Sequence, residues 1–303
     1  MEKLEEILGM HPNTLGHIMK NAVIRAMNAI RRERANFTSE AKASVTGKAN
    51  DIVTSADKRA QKIYLEIFRE RLPDLGIIAE EENLIIPHRT KVKAYLTIDP
   101  LDGTAAFARG QTFGTTTMIS LVIGKEVVAA FVADIDTGEV FMLWPGADKV
   151  QLYRHDSPYG ETLDLKIDAG RALNKQYVLL RKAPSEYSAK AQEIISLNGP
   201  EALFKGLSVI AGGIGFSFNQ ILKGVFGALL LEKSYETPWD SSPVIGLAKK
   251  LGFKFFFIDP ENGKNIREIC PKPIEKIYKR DFEILVIHES RKKEFMDWVR
   301  KNS

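Results

Sequence analysis

The 303-residue chain contains one cysteine, Cys270, which excludes an intrachain disulfide and a zinc site built from several cysteines. The thiol has no activating partner close to it in the sequence, and we expect a small, partly buried side chain. Because disulfide-free chains are typical of reducing compartments, we expect a cytoplasmic protein.

The chain also lacks a long hydrophobic run. The longest apolar stretch, Val225 to Leu231, is far too short to cross a bilayer. The acidic segment from Met1 to Met10 lacks the apolar centre of a secretory signal. We therefore expect no membrane attachment.

An excess of one charge is absent as well. The formal net charge is +4, from 43 Lys and Arg against 39 Asp and Glu, and the two signs are mixed along the chain. Nucleic-acid binders concentrate positive charge on one face, so we expect no nucleic-acid partner. The chain also has no GxxxxGK[ST], HExxH or GxSxG motif, which argues against a P-loop site, a zinc protease and a serine hydrolase.

What the chain does contain is a change of pattern near residue 170. Two amphipathic helices, Asn13 to Arg34 and Asp57 to Leu72, are followed by β-rich runs that include a hairpin. Beyond residue 170 strands alternate with helices, among them a helix over Ser185 to Leu197. This pattern predicts an α+β domain with an antiparallel sheet over 1–170 and an α/β domain over 171–303.

A sharp turn follows the predicted strand Ala94 to Ile98. Pro100 lacks a backbone donor and has a fixed φ, so we expect the strand to end at Asp99. Gly103 can adopt backbone conformations that other residues avoid. The chain can therefore reverse within a few residues after the strand.

Such a turn can direct the Asp99 and Asp102 carboxylates and the carbonyl of Leu101 to one point. Oxygen clusters of this kind suit hard divalent cations, and Mg²⁺ combines a few carboxylates with water and phosphate oxygens. A helix over Thr104 to Phe107 would add free N–H groups that can hold a phosphate.

Further carboxylates stand at the ends of other predicted elements. Glu80 and Glu81 follow a short strand, and Asp57 and Asp240 each stand at the start of a helix. Taken singly, an Asp at a helix start is most often a cap, and a run of Glu is most often a solvated turn. Their joint presence with the turn described above indicates a metal site.

Four strings around these acids resemble the inositol monophosphatase family, whose superfamily also contains fructose-1,6-bisphosphatases and 3'-phosphoadenosine phosphate phosphatases. They occur in the order and at the spacing typical of that family, and the resemblance covers most of the chain. The strings are DIVTSAD (Asp51 to Asp57), IIAEEE (Ile77 to Glu82), IDPLDGTAAFARG (Ile98 to Gly110) and PWDSSPVIGLAKKLG (Pro238 to Gly252).

The resemblance implies a layered αβαβα fold, a homodimer, lithium sensitivity, and two or three bound Mg²⁺ ions. The implied metal ligands are Glu80, Asp99, the Leu101 carbonyl, Asp102 and Asp240. In the implied catalytic set, Glu80 acts with Thr104, which orients the attacking water, and with Asp57, which supports Thr104. The amides of Gly103 and Thr104 are expected to hold the phosphate. Glu81 matches the second acid of the family's Glu pair and is a further candidate.

Three segments depart from the family pattern. Gly212-Gly213-Ile214-Gly215 replaces the usual Gly-Ser-Ala-Ala, and we expect a closely packed helix start there. Ser241-Ser242-Pro243 replaces Ala-Ala-Gly. The loop from Glu232 to Thr237 looks longer than usual. Its spacing therefore places neither Glu232 nor Glu236 as the acid that contacts substrate hydroxyls in the family.

The sequence thus predicts a magnesium-dependent phosphomonoesterase in which a metal-activated water attacks the phosphorus in line. Its substrate would be a small, soluble phosphate ester, such as an inositol or sugar phosphate. The string DGTAAF is nearer to the inositol phosphatases than to the nucleotidases, which usually carry Lys-Glu after the Thr. Two alternatives stay open: a 3'(2'),5'-bisphosphate nucleotidase, and a regulatory or scaffold protein acting through a protein or RNA partner.

Overall fold

The computed structural model describes residues 2–42, 52–157, 160–198, 202–261 and 265–302. Asp51, the first residue of one motif string, lies outside the described residues. The described helices are α1 (Glu2–Leu8), α2 (Pro12–Glu33), α3 (Ser55–Arg71), α4 (Thr104–Ala108), α5 (Ala189–Ile194), α6 (Ile214–Leu222), α7 (Pro238–Lys250) and α8 (Lys292–Lys301). No helix in these ranges has the length and apolar character needed to cross a membrane.

The strands within the same ranges belong to two larger sheets and two short ribbons. They are β1 (Ser39–Ala41), β2 (Ile52–Thr54), β3 (Gly76–Ala79), β4 (Leu84–Ile86), β5 (Ala94–Asp102), β6 (Thr116–Ile123), β7 (Glu126–Asp134), β8 (Glu139–Leu143), β9 (Val150–Arg154), β10 (Glu161–Asp164), β11 (Tyr177–Leu180), β12 (Gly206–Val209), β13 (Ala228–Leu231), β14 (Ser234–Glu236), β15 (Phe253–Ile258), β16 (Ile266–Ile269), β17 (Tyr278–Arg280) and β18 (Glu283–His288).

The first sheet has the strand order β10-β9-β8-β7-β6-β5-β3-β4. Neighbouring strands are antiparallel except β3 and β5, which are parallel. The predicted hairpin forms between β6 and β7, where Ile123 pairs with Glu126 across a short turn. Gly124 in this turn has φ +62°, a conformation that glycine adopts without strain. The expected antiparallel first sheet is therefore confirmed apart from one parallel pair.

Strand β5 does not end at Asp99, so this prediction was wrong. Its pairing with β6 is interrupted by a register shift after Asp99 and resumes where Asp102 pairs with Thr116. Pro100 lies inside this bulge, where the ladder needs no backbone donor, and a proline is tolerated there. The strand therefore continues through the acidic segment and bends it instead of stopping before it.

Helices and sheets alternate as five layers in the described residues. Helices α2 and α3 pack on one face of the first sheet through residues such as Met19, Phe68 and Ile119. The opposite face packs on α6 and α7, which in turn cover the second sheet, with Met118 and Phe255 in this shared core. Helices α5 and α8 cover the outer face of the second sheet. This order is the expected αβαβα fold, which is confirmed.

The second sheet has the order β12-β11-β13-β18-β15-β16. Strands β12, β11 and β13 are parallel to one another, whereas β18, β15 and β16 pair antiparallel. No strand of the described residues belongs to both larger sheets, and the two sheets share a core. The expected division at residue 170 stays a prediction.

Two local expectations in the second half were wrong. The helix predicted over Ser185 to Leu197 is confined to α5, because Ser188 is its cap and accepts the Ala191 N–H at 3.3 Å. Cys270 is exposed and not partly buried. It follows β16, which is an edge strand of its sheet, and side chains at such an edge have fewer neighbours to cover them.

Candidate functional site

Three carboxylates from distant parts of the chain meet at one place. Asp99, Asp102 and Asp240 each have an oxygen within 4.8 Å of the others. Asp99 and Asp102 come from the bulge of β5, and Asp240 comes from the first turn of α7. Asp99 and Asp102 are buried, so these charges converge where little water screens them.

Asp240 is free to face this cluster because another residue caps its helix. Thr237 is the N-cap of α7, and its Oγ1 accepts the Asp240 N–H at 3.2 Å. Pro238 occupies the first helical position, where its missing donor costs nothing. The cap role that the sequence alone favoured for Asp240 thus belongs to Thr237.

Asp102 is held from two sides. Its Oδ1 accepts the Ile214 N–H at 3.0 Å, and its Oδ2 accepts the Gly215 N–H at 2.7 Å and the Thr116 hydroxyl at 2.8 Å. A Cβ at Gly213 would lie 2.1 Å from Asp102 Oδ2. The expected close packing at the start of α6 is confirmed. Because Gly213 and Gly215 have no side chain, the start of this helix can approach Asp102 closely.

Asp57 caps its helix and also lies against Thr104. Its Oδ2 accepts the Thr54 N–H at 2.8 Å, which caps α3. Its Oδ1 lies 3.0 Å from Thr104 Oγ1, which also lies 2.9 Å from the carbonyl of Leu101. The single hydroxyl proton of Thr104 can go to only one of these acceptors at a time.

The turn between Asp102 and α4 depends on Gly103. Its φ is +88°, and a Cβ would lie 2.4 Å from the carbonyl oxygen of Gly114. Both observations exclude a side chain at this position. The expected short helix after the turn is present as α4, and the amides of Thr104 and Ala105 at its start have no acceptor within the helix.

Glu80 and Glu81 lie near the triad formed by Asp99, Asp102 and Asp240, and Lys42 contacts both of them. Lys42 Nζ donates to Glu80 Oε1 at 2.8 Å and to Glu81 Oε1 at 2.9 Å. Glu81 is buried, and Gln61 holds its backbone through two hydrogen bonds of 3.0 Å. Glu80 and Glu81 are therefore not solvated, whereas Glu82 next to them is exposed. Nothing in the sequence pattern had pointed to Lys42.

Burial and mutual repulsion raise the pKa values of Asp99, Asp102 and Glu80 and so favour their neutral forms. Burial, followed by the charges of Glu80 and Asp240, raises the pKa of Asp99 well above its usual range. Burial raises the pKa of Asp102 to about 6, and the charge of Asp240 adds to the shift. Burial raises the pKa of Glu80 to about 8, although Lys42 opposes it.

The donor set fits a hard divalent cation. Asp99 Oδ1 is buried and has no hydrogen-bond partner among the described residues. A buried oxygen without a donor is costly unless a ligand or an ion satisfies it. The triad of Asp99, Asp102 and Asp240 offers carboxylate oxygens and no nitrogen or sulfur, which suits Mg²⁺.

The triad opens into a cavity of about 1150 Å³. Of the other expected site residues, Glu80, Leu101, Gly103 and Thr104 line it. Asp57 and Glu81 are buried and are not among the described residues that line this cavity. All expected site residues thus lie in or directly behind one cavity wall, linked by Thr104 and Lys42.

The same cavity contains residues that the sequence pattern did not place. Glu232 and Glu236 both line it, as does Arg181 at the carboxyl end of β11. Glu236 is engaged by Arg280, whose Nε lies 2.6 Å from it. Arg181 was missed, although strands were expected beyond residue 170 and ligands commonly bind at the carboxyl ends of parallel strands.

Comparison with known proteins decides the family. The inositol monophosphatase family model matches residues 13–279 of this chain. The chain belongs to the inositol monophosphatase family. The matched range contains Asp99, Asp102 and Asp240, so the triad lies within the part of the chain that the family model matches.

Curated relatives match this chain over shorter segments. The Nus factor SuhB of Vibrio cholerae is 36% identical over 133 residues, which are 43% of this chain and 49% of the relative. The inositol-1-monophosphatase of a Synechocystis species is 45% identical over 62 residues, which are 20% of this chain and 21% of the relative. The chain thus matches about half or less of the length of these relatives.

A solved structure supports the fold over nearly the whole chain. An IMPase/NADP phosphatase in complex with Mg²⁺ and phosphate superposes with a TM-score of 0.68. The superposition covers 95% of this chain and 95% of that chain, at 15% sequence identity. At this identity the likeness establishes the layered fold.

Proposed function

We propose that this protein hydrolyses a small, soluble phosphomonoester with the help of Mg²⁺. The observation that carries the proposal is the convergence of Asp99, Asp102 and Asp240 on one cavity, with Asp99 Oδ1 left without a donor. Membership in the inositol monophosphatase family supports the same chemistry. An inositol or sugar phosphate is the substrate class that we propose.

The metal ligands would be the acids of the cavity wall and one carbonyl. When bound, two or three Mg²⁺ ions would offset the charge of the phosphate dianion and lower the pKa of the attacking water. The proposed ligands are Glu80, Asp99, the carbonyl of Leu101, Asp102 and Asp240.

Thr104 would orient the water that attacks the phosphorus. Its hydroxyl proton is directed to Asp57 or to the Leu101 carbonyl, at 3.0 and 2.9 Å, so its lone pairs remain free to accept a hydrogen bond from the water. Asp57 would fix this orientation from behind the cavity wall. Displacement would be direct and in line, without a covalent phosphoenzyme.

The phosphate would rest against the amides of Gly103 and Thr104. These amides precede or begin α4 and have no acceptor inside it, so they can donate to phosphate oxygens. Glu81 would act indirectly, because its contact in the site is with Lys42. The other proposals from the resemblance are a cytoplasmic homodimer, lithium inhibition, and a division into domains 1–170 and 171–303.

A phosphate-release panel tests the proposal. The esters are inositol 1-phosphate, fructose 1,6-bisphosphate and 3'-phosphoadenosine 5'-phosphate, each with Mg²⁺, with EDTA, and with added Li⁺. We expect Mg²⁺-dependent release that is lost in Asp99→Asn and kept in Asp164→Asn, an exposed Asp on β10. A folded protein that released no phosphate from any ester would overturn the proposal.

A role through a macromolecular partner is the second candidate. The Vibrio cholerae relative is named a Nus factor and not a phosphatase, which favours keeping this alternative. A protein that binds Mg²⁺ at the acidic centre, yet releases no phosphate from the panel, would favour it over the enzyme. Preference for the phosphoadenosine ester would instead favour the nucleotidase.

A further inference from the structure

Helix α3 has three polar side chains on the face that it buries. Asp57, Gln61 and Tyr64 are spaced by four and then three residues, so they lie on one side of the helix. All three are buried, although the buried face of a helix is usually apolar. Burying a polar side chain is costly unless it is hydrogen-bonded. Each of the three has such a partner, and each partner lies in a different segment of the proposed metal site.

Gln61 holds the turn that follows β3. Its side-chain amide donates to the carbonyl of Glu81 and accepts the Glu81 N–H, both at 3.0 Å. The preceding residue, Glu80, is held from the other side, because its N–H donates to the carbonyl of Ile98 at 3.1 Å. The backbone from which the Glu80 carboxylate extends is therefore fixed by both α3 and β5.

This turn needs support because its next two residues have an unfavourable backbone conformation. Glu82 has φ +63° and Asn83 has φ +48°, and no other described residue except glycine has a positive φ. Residues with a side chain rarely adopt this left-handed region, and they keep it where surrounding contacts hold them there. Without the two bonds from Gln61, the turn would be free to relax, and Glu80 would move with it.

Tyr64 supports the bulge of β5 through one intermediate side chain. Its hydroxyl lies 2.7 Å from Thr117 Oγ1, and the Thr117 hydroxyl donates to the carbonyl of Asp99 at 3.3 Å. A carbonyl only accepts, and each hydroxyl has one proton, so the donors run from Tyr64 through Thr117 to Asp99. Asp99 is the last paired residue before the register shift between β5 and β6. The relay thus holds the backbone of Asp99 next to the break in the ladder.

One helix therefore reaches three separate segments: the turn after β3, the bulge of β5 and, through Asp57, the start of α4. The helix is itself fixed, because Ala60 and Phe68 are buried in the first core and Tyr64 stacks on Phe68 with ring centroids 5.9 Å apart. The distances between the three segments are thus set by the spacing of residues along α3.

We propose that Gln61 and Tyr64 are positioning residues that place Glu80 and Asp99 for Mg²⁺ binding. This inference rests on the proposed function, which assigns these two acids as metal ligands. Neither Gln61 nor Tyr64 is among the described residues that line the cavity, so each acts through the backbone of a ligand segment. Groups that orient metal ligands in this way typically change metal affinity by about tenfold or more when they are lost.

The first test compares Tyr64→Phe with Ser120→Ala. Tyr64→Phe removes the hydroxyl that supports Thr117 and keeps the ring. Ser120→Ala also removes a buried hydroxyl with a 2.7 Å partner, Thr97, but that bond links β5 to β6 without contacting the acidic segment. Thr117→Val breaks the same relay as Tyr64→Phe, whereas Thr117→Ser keeps it.

The second test compares Gln61→Met with Gln176→Met. Gln176 is also a buried glutamine, and its Nε2 donates to the backbone carbonyls of Arg171 at 2.7 Å and Ala172 at 3.1 Å. It is not among the described residues that line the cavity. Each pair of variants thus loses buried hydrogen bonds of the same kind, near the metal ligands in one variant and away from them in the other.

Isothermal titration calorimetry with Mg²⁺ is the main readout, and thermal melts in EDTA give the loss of stability in each variant. We expect the Kd for Mg²⁺ to rise about tenfold in Tyr64→Phe, Thr117→Val and Gln61→Met. The two controls and Thr117→Ser should stay near the wild-type value. In phosphate release, the Mg²⁺ concentration that gives half-maximal activity should rise by the same factor, while kcat recovers at saturating Mg²⁺.

Unchanged Mg²⁺ affinity in the three relay and turn variants would overturn the inference. So would an equal rise of Kd in the controls, because the loss would then follow from lower stability of the fold. If Gln61→Met does not fold, the variants of Tyr64 and Thr117 decide the outcome. A wild type that bound Mg²⁺ but released no phosphate would overturn the proposed hydrolysis alone, whereas a wild type that bound no Mg²⁺ would overturn both.

Discussion

The ammonium group of Lys42 lies 2.8 Å from a carboxylate oxygen of Glu80. A second oxygen, from Glu81, lies 2.9 Å from the same nitrogen. Burial would lower the pKa of Lys42, but the charges of Glu80 and Glu81 outweigh it and raise that pKa above its usual range. Lys42 thus holds a positive charge next to the carboxylate of Glu80, which we propose as a metal ligand.

Removing this lysine should strengthen metal binding. In Lys42→Met, Glu80 and Glu81 lose their counter-charge, so we expect Mg²⁺ affinity to rise by about threefold to tenfold, as for a partly exposed ion pair of about 1 kcal/mol. Isothermal titration calorimetry measures this directly. Lys58→Met, at an exposed lysine paired with Glu40, is the matched control. Weaker Mg²⁺ binding in Lys42→Met would show that Lys42 assists the metal site.

Stability without metal should fall as pH rises. Asp102 has a pKa of about 6 in the folded protein against an ordinary value of 3.8, so between these values the folded state holds more protons than the unfolded state. The free energy of unfolding should therefore drop by about 3 kcal/mol from pH 4 to above pH 6. Glu80, with a pKa of about 8, extends the decline to higher pH.

Mg²⁺ should reverse this trend, because its ligands bind as carboxylates. Thermal melts in EDTA and in Mg²⁺ from pH 5 to pH 8.5 measure both slopes. The Mg²⁺-induced rise in melting temperature should grow across this range in the wild type and be abolished in Asp99→Asn. A rise that did not depend on pH would argue against binding at these acids.

The hydroxyl of Thr104 should matter for turnover more than for binding. Thr104→Val removes the group that Asp57 orients, and we expect kcat to fall by about 10²- to 10³-fold with a small change in KM. Thr104→Ser keeps the hydroxyl and should retain most activity. Steady-state kinetics on the best ester of the panel separates the two constants. Equal activity of the Val and Ser variants would exclude Thr104 from the proposed role.

A methyl group at Gly213 should disturb Asp102. The added Cβ would lie 2.1 Å from Asp102 Oδ2, so either the start of α6 or the carboxylate must move. We expect Gly213→Ala to lower the free energy of unfolding by about 2–3 kcal/mol and to reduce the Mg²⁺-induced stabilisation. Denaturant titrations with and without Mg²⁺ measure both effects.

The matched control for this change is Gly170→Ala. A Cβ there would make one ordinary contact, 3.5 Å from Asp168 Oδ1, so little change is expected. Similar losses in both variants would mean that the effect is a general cost of replacing glycine. An unchanged response to Mg²⁺ in a destabilised Gly213→Ala would separate the packing of α6 from the metal site.

The sequence by itself determined several of the helices and strands and the acidic residues that form the site. Hydrophobic periodicity located α2 and α3, and the spacing of turn residues located the hairpin of β6 and β7. The string from Asp99 to Thr104 specified a bend rich in oxygen donors, because Gly103 and Pro100 restrict the backbone locally. These features depend on neighbours within a few residues, which the sequence displays directly.

Only the tertiary structure decided which distant groups meet. Asp240 reaches Asp99 because α7 is packed between the two sheets, and Asp102 is held by amides of α6 more than a hundred residues away. The pairing of Lys42 with Glu80, and of Arg181 with Glu232, likewise depends on how layers pack. Local sequence fixes the geometry of each segment, whereas burial of apolar faces between segments sets their relative placement, and no short pattern encodes that placement.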